Sequence, residues 1–226
     1  MPSSWVEGRR RRRSVRLLYV IVGVVVGVSV LNAPAYGEEE RLRDAVRQLS
    51  VARETNVGYD REKFQHWIDV DGDCQDTRAE VLIAESRDGT TGGCVVATGE
   101  WFSYYDRETW TDASDVDIDH MVALAEAWGS GAKRWTGATR KRFANDLRDR
   151  RALVAVTDNV NQSKGDRDPA EWMPQYGQCR YLREWVAIKL RWSLKVNRAE
   201  RRRLVELAGG CRNKSLRWTP ARVVYR

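Results

Sequence analysis

The chain has 226 residues, 42% hydrophobic and 31% charged, with 10 Trp and only 5 Pro. That length suits one domain with appendages, and the composition excludes disordered, collagenous and low-complexity proteins. The formal charge of +7 is a weak argument for nucleic-acid binding, because residues 1–36 hold six Arg against one Glu and the rest carries 33 basic and 31 acidic residues. The remainder is polarised: residues 37–130 have a net charge of −13 and residues 131–226 one of +15. Such halves either pair with each other or set a cation-binding patch beside a phosphate-binding surface.

The start of the chain reads as a secretory signal. Arg9 to Arg13 and Arg16 form a basic region, Leu17 to Leu31 an apolar stretch short for a membrane span, and Asn32-Ala33-Pro34-Ala35 a small-x-small cleavage site. The expected organisation is a signal peptide over 1–36 and a single domain over 37–226; an uncleaved anchor is the alternative. No second apolar run follows, so an exported protein with no stable membrane partner after cleavage is expected. Export also decides how Cys74, Cys94, Cys179 and Cys211 read. They are even in number, none forms a CxxC pair, and only two His are present, so two disulfides suit them better than zinc. Of the three pairings, Cys74–Cys94 with Cys179–Cys211 is favoured, since each closes a local unit.

A helix is predicted over Glu38 to about Arg53, with Leu42, Val46 and Leu49 on one face. A loop-rich stretch follows, with Tyr59, Phe64 and Trp67 as core anchors and His66 as a packed histidine between aromatics. Glu80 to Ser86 and Gly93 to Ser103 read as two strands around a Gly-rich turn, and Val116 to Ile118 as a short strand before a helical "MVALAEAW". Thr139 to about Arg150 is predicted as a basic helix with Phe143 and Leu147 inward. Ala152 to Val156 should be a strand leading into a polar helix near Asp158. Leu182, Trp185, Val186, Lys189 and Trp192 keep helical spacing, and Asn197 with Glu200 makes a capping box for a last helix that stops at Gly209-Gly210.

Chemistry concentrates in "DVDIDHMVALAEAW" and, further on, "ALVAVTDNVNQSKGDRDPAEW". Two carboxylates and an imidazole in four residues, Asp117, Asp119 and His120, are a poor way to fill a core. Asn161 and Lys164 are three apart, so on a helix both face one neighbour. A carboxylate and an amide oxygen suit a hard divalent cation such as Mg²⁺. A neutral His beside it can take a proton from water while the metal stabilises charge on the phosphoryl group and the leaving 3′ oxygen. No Gly-rich phosphate cradle, GxSxG elbow or HExxH motif is present.

A strand ending in D-x-D-H, a second strand and a helix with N-x-x-K-G-D resemble the HNH nucleases of the His-Me finger (ββα-metal) superfamily. The likeness is to the C-terminal HNH domain of GmrSD-type restriction enzymes, which also occurs as stand-alone exported bacterial proteins. It is strongest over Val116 to Pro174. The resemblance implies an α+β fold in which a ββα-metal core sits in a mixed domain with flanking helices and a small β-hairpin. It makes His120 the general base, Asp119 and Asn161 the metal ligands, and Asn145 in "FANDL" the residue that orients the catalytic loop. Lys164 and Arg167 would contact phosphates, and Asp117 and Asp166 would orient neighbouring groups. The last motif residue is Asn rather than His, so Mg²⁺ or Mn²⁺ is expected before zinc.

The function expected is that of a secreted, metal-dependent endonuclease for DNA, with RNA as a further substrate and little sequence specificity. It would act as a monomer, with an unidentified inhibitor as a further partner. The rival is a non-catalytic extracellular nucleic-acid or cell-wall binding protein on the same scaffold. A calcium loop at Asp69, Asp71, Asp73 and Glu80 is disfavoured, because Cys74 stands where such loops need Gly.

Overall fold

The computed structural model describes residues 37–226. The expected signal peptide lies outside the described residues. The chain begins with β1 (Glu38–Arg41), α1 (Leu42–Gln48) and a 3₁₀ turn over Arg61–Phe64. There follow α2 (Thr77–Glu85), β2 (Thr98–Phe102), β3 (Thr109–Asp112), β4 (Val116–His120), α3 (Leu124–Ser130) and α4 (Gly137–Ala144). The last part holds β5 (Leu153–Thr157), α5 (Asp158–Lys164), α6 (Gln178–Arg191), α7 (Arg198–Gly210) and β6 (Ser215–Trp218). The strands form three antiparallel pairs, β1–β6, β2–β3 and β4–β5, so the fold is α+β. Both expected disulfides are present, Cys74–Cys94 and Cys179–Cys211.

The core gathers around α6, whose Tyr181, Leu182, Trp185, Val186 and Ile188 are all buried. Trp135, Phe143 and Trp192 form an aromatic knot, with ring centroids 5.4 to 5.7 Å apart. Asn197 caps α7 by accepting from the amides of Ala199 and Glu200, but the box is not closed: the Glu200 carboxylate turns inward to Trp185 and Lys189 instead of back to the Asn197 amide. Arg201 is a tie within the core region: its guanidinium donates to the carbonyls of Arg47 and Leu49 at the end of α1.

Three predicted elements are corrected. Of the predicted strand Glu80 to Ser86, all but the C-cap Ser86 is helical, within α2, because Asp76 caps the segment by accepting from the Ala79 amide and Val81 and Leu82 turn into the core. The predicted helix from Glu38 begins instead as β1, which pairs with β6, and α1 ends at Gln48. The helix over Thr139 to Arg150 ends at Ala144, and Leu147 is exposed rather than inward.

What positions the site is the order β4, β5, α5. The register sets Val116 opposite Thr157 and His120 opposite Leu153. Helix α5 starts beside the Val116 end and runs back along β4. Three residues on a helix advance about 4.5 Å and two on a strand about 6.6 Å. Asn161 therefore meets Asp117 and Lys164 meets Asp119.

Candidate functional site

Alternation on β4 sends Asp117 and Asp119 to one face and His120 to the other. On the first face Asn161 Nδ2 donates to Asp117 Oδ2 at 3.0 Å. Asp119 is buried, and both its oxygens are occupied: Lys164 Nζ donates to Oδ1 and the Tyr105 hydroxyl to Oδ2, each at 2.6 Å. Burial raises the Asp119 carboxyl above the ordinary range, against the pull of the Lys164 ammonium and the Tyr105 hydroxyl. Lys164 also donates to the backbone carbonyl of His120 at 3.0 Å, so it braces the end of β4. It is 0% exposed, with its ammonium turned to Asp119 and the His120 carbonyl rather than to the surface, where the expected phosphate contact needs it.

On the opposite face the His120 ring is buried, with Trp67 at 5.3 Å and His66 at 6.5 Å between ring centroids. His120 Nε2 lies 2.9 Å from the carbonyl oxygen of Ala144. A carbonyl only accepts, so Nε2 carries the proton and Nδ1 has the free lone pair. Burial pushes the pKa of His120 down to about 3, against the opposing effect of the Ala144 carbonyl, so the ring is neutral at ordinary pH.

Asn145 follows Ala144 and pins the loop opposite. Its Nδ2 donates to the carbonyls of Gln65 and Lys141 at 2.8 and 2.7 Å, and its Oδ1 accepts from the Ile68 amide. One asparagine thus joins the end of α4, whose last carbonyl fixes His120, to the loop that carries His66 and Trp67. Beside it runs a groove of about 910 Å³ with Ile68, Lys141, Arg142, Asn145, Arg148 and Arg222 among its lining residues. Arg167 and Asp166 are exposed at the end of α5, with Arg167 Nε donating to the Lys164 carbonyl.

Of the expected ligand pair, Asn161 hydrogen-bonds Asp117 rather than Asp119, whose two oxygens accept from Lys164 and Tyr105. An ammonium already occupies the cation position at Asp119. Asp117 and Asn161 are half-buried, and each keeps one side-chain oxygen, Oδ1, without a hydrogen-bond partner among the described residues. Two such oxygen donors fit a small hard cation that retains several waters. The carboxylates of Asp69, Asp71 and Asp73 form a separate exposed group, with oxygens within 4.8 Å of one another. Asp69 there accepts from the amides of Gly72 and Cys74.

Sequence reasoning missed two participants. Tyr105 lies outside both motifs, separated by 14 positions from Asp119, and carries no local signal for its contact with that residue. His66 was read as packing, yet its ring stands next to His120; its company in "FQHWID" was the signal available.

Residues 75–207 match the family described as GmrSD restriction endonucleases, C-terminal domain, and the chain belongs to that family. The family suggests a nuclease-like HNH domain, with a nucleic acid as its substrate. The chain is also 49% identical to an uncharacterized secreted protein of Arthroderma benhamiae over 207 residues, covering 85% of this chain and 99% of the relative. That source lends no support to the expected bacterial origin. No solved structure matches the chain. Among the described residues no helix is long and apolar enough to cross a membrane.

Proposed function

We propose that the protein is an exported, divalent-metal-dependent HNH nuclease that hydrolyses phosphodiester bonds of DNA, and of RNA, with little sequence selectivity. In this reading β4, β5 and α5 are the ββα-metal core, and residues 37–226 are the mature protein, a monomer released by cleavage of residues 1–36. The observation that carries it is the His120 imidazole: buried and neutral, with Nε2 fixed by the Ala144 carbonyl. That arrangement leaves Nδ1 as the base.

Asp117 and Asn161, on the α5 face of β4, would hold Mg²⁺ or Mn²⁺; because the His120 ring lies on the other face, the chemistry a bound cation would supply there is charge stabilisation of the polynucleotide at the strand rather than a contact shared with the base. Nδ1 of His120 takes a proton from the attacking water, and the Ala144 carbonyl stabilises the imidazolium that forms. Trp67 covers the ring and limits bulk water. Asn145 keeps the carbonyl and the covering loop in register. Lys164, paired with Asp119, fixes the backbone of His120. Lys141, Arg148 and Arg222 offer the groove beside Asn145 a basic wall for the polynucleotide backbone, and Arg167 is an exposed cation at the end of α5. Little selectivity follows from the lack of a dedicated base-reading module in the described residues.

The test is incubation of the disulfide-bonded protein with plasmid, single-stranded DNA and RNA in Mg²⁺, Mn²⁺ or EDTA, beside His120→Ala. The expected result is metal-dependent cleavage that falls roughly 10²- to 10⁴-fold in the variant. Cleavage undiminished in His120→Ala would remove the base from the mechanism. A folded wild type that cuts none of the three would overturn the nuclease itself and leave a binding protein on this scaffold.

A further inference from the structure

The loop ahead of α2 is held in a conformation that its residues do not favour. Gln65 and Trp67, on either side of His66, both have positive φ, 39° and 55°. Non-glycine residues persist there only when their surroundings impose it, and such positions gather at functional sites. Here the surroundings are identified: Asn145 binds the Gln65 carbonyl and the Ile68 amide, and the Thr77 hydroxyl donates to the Ile68 carbonyl at 3.0 Å. The outcome is that His66 and Trp67 are both presented to His120.

His66 does not itself offer a base. Arg61 Nε lies 3.2 Å from His66 Nε2, and a guanidinium only donates, so Nε2 accepts and the proton sits on Nδ1. That Nδ1 is buried with no hydrogen-bond partner. An unpaired buried donor is unfavourable, so the tautomer that leaves it unpaired is retained for the bond to Arg61. Arg61 is exposed, and among the described residues it pairs with no carboxylate. Its positive charge is felt by both His66 and His120. A guanidinium fixed through Nε still presents its terminal N–H groups, the geometry that takes two oxygens of a phosphate.

We propose that Arg61, oriented by His66, is the cation that binds the non-bridging oxygens of the phosphodiester attacked at His120. Arg61 is a substrate-binding catalytic residue and His66 a positioning residue. Both precede the stretch 75–207 that matches the family, so the family assigns neither a role. The proposal rests on the nuclease reading of His120, and the experiment separates the two.

Hydrolysis of bis(p-nitrophenyl) phosphate and of single-stranded DNA is measured for the full-length wild type, Arg61→Ala, Arg61→Lys, His66→Ala and His66→Gln. Arg61→Ala should lose about 10²-fold in kcat, and guanidinium ion added at millimolar concentration should restore part of it. His66→Gln, whose amide oxygen can still accept from Arg61, should retain more activity than His66→Ala. A purely structural arginine would not respond to guanidinium. Binding of a fluorescein-labelled oligonucleotide in EDTA should weaken about tenfold in Arg61→Ala. Wild-type kcat in Arg61→Ala, or a loss that guanidinium does not relieve, overturns the proposal and leaves the nuclease standing. If the wild type hydrolyses nothing, the nuclease reading falls, and the binding measurement alone decides: unchanged affinity in Arg61→Ala rejects the phosphate site and a tenfold loss upholds it.

Discussion

Among the described residues two lysines are completely buried, and they are buried in different ways. Lys164 faces one carboxylate, Asp119, and a backbone carbonyl, and the Tyr105 hydroxyl completes the carboxylate. Lys189 on α6 faces three carboxylates from three other parts of the chain. It bonds Glu126, approaches Glu200 at 3.3 Å and Glu54 at 3.9 Å, and donates to the Lys195 carbonyl at 2.8 Å. The first group is balanced in charge and ends at the backbone of His120. The second carries more acid than base. Burial drives Glu200 up to about 8 and Glu54 up to about 7, while its three carboxylate neighbours hold the Lys189 ammonium above its ordinary range despite burial. One buried cation thus serves a site and the other joins α3, α6, α7 and the segment before the 3₁₀ turn, where Glu54 and Glu200 titrate within a mild range of pH.

The largest effects should come from removing either ammonium. Lys164→Met and Lys189→Met should each destabilise by about 3–5 kcal/mol, since a buried charge is left without its partner. Denaturant titration measures that loss. The two should part in activity per folded molecule: at a temperature where both remain folded, Lys189→Met should keep wild-type kcat and Lys164→Met should not. Equal activity would erase the distinction. Combining Lys164→Met with Asp119→Leu should recover much of the stability and none of the activity.

Next in size is the pH response of the Glu cluster. Glu54 and Glu200 have folded pKa values above the ordinary 4.5, so between about 4.5 and 8 the native state holds more protons than the unfolded one. Their contribution is therefore lost as pH rises through that window. Unfolding midpoints taken from pH 5 to 9 should fall, and Glu200→Gln should flatten the slope; a slope unchanged in that variant would mean the acid excess lies elsewhere. Tyr105→Phe should cost about 1–3 kcal/mol by leaving an Asp119 oxygen unpaired, with little change in that pH slope. The smallest effect expected is about 1 kcal/mol for Asn197→Ala, measured by thermal unfolding. Asn197 caps α7 and also donates to Glu54 at 2.7 Å and to Asp168 at 3.0 Å, so its loss should also shift the pH response.

What could be read in advance follows the range of the interaction. The strand ending in Asp119-His120, the apolar β5 and the helix with Asn161 and Lys164 were legible, because their signals are local. The disulfide pairing was legible because each bridge closes a nearby unit. The segment Glu80 to Ser86 failed because a short apolar run fits strand or helix equally, and the deciding feature was the Asp76 cap. The burial of Lys164 failed for a deeper reason. A lysine one turn from an asparagine reads as an accessible cation for a phosphate, and only Tyr105 and Asp119, brought in by the tertiary fold, show where its ammonium lies. The nearness of His66 to His120 depends on Asn145, about eighty positions along the chain from the loop it holds.

The pairing of β1 with β6 sets a timetable for folding. Glu38 lies opposite Trp218 and Arg41 opposite Ser215, so almost the whole described chain must exist before β1 finds its partner. Contacts of that sequence separation are slow to form, since the loop-closure entropy precedes any reward. A nascent chain emerging from a ribosome would hold β1 with an open edge until the last strand arrived. This one ladder therefore closes last, once both ends of the described chain are free to meet.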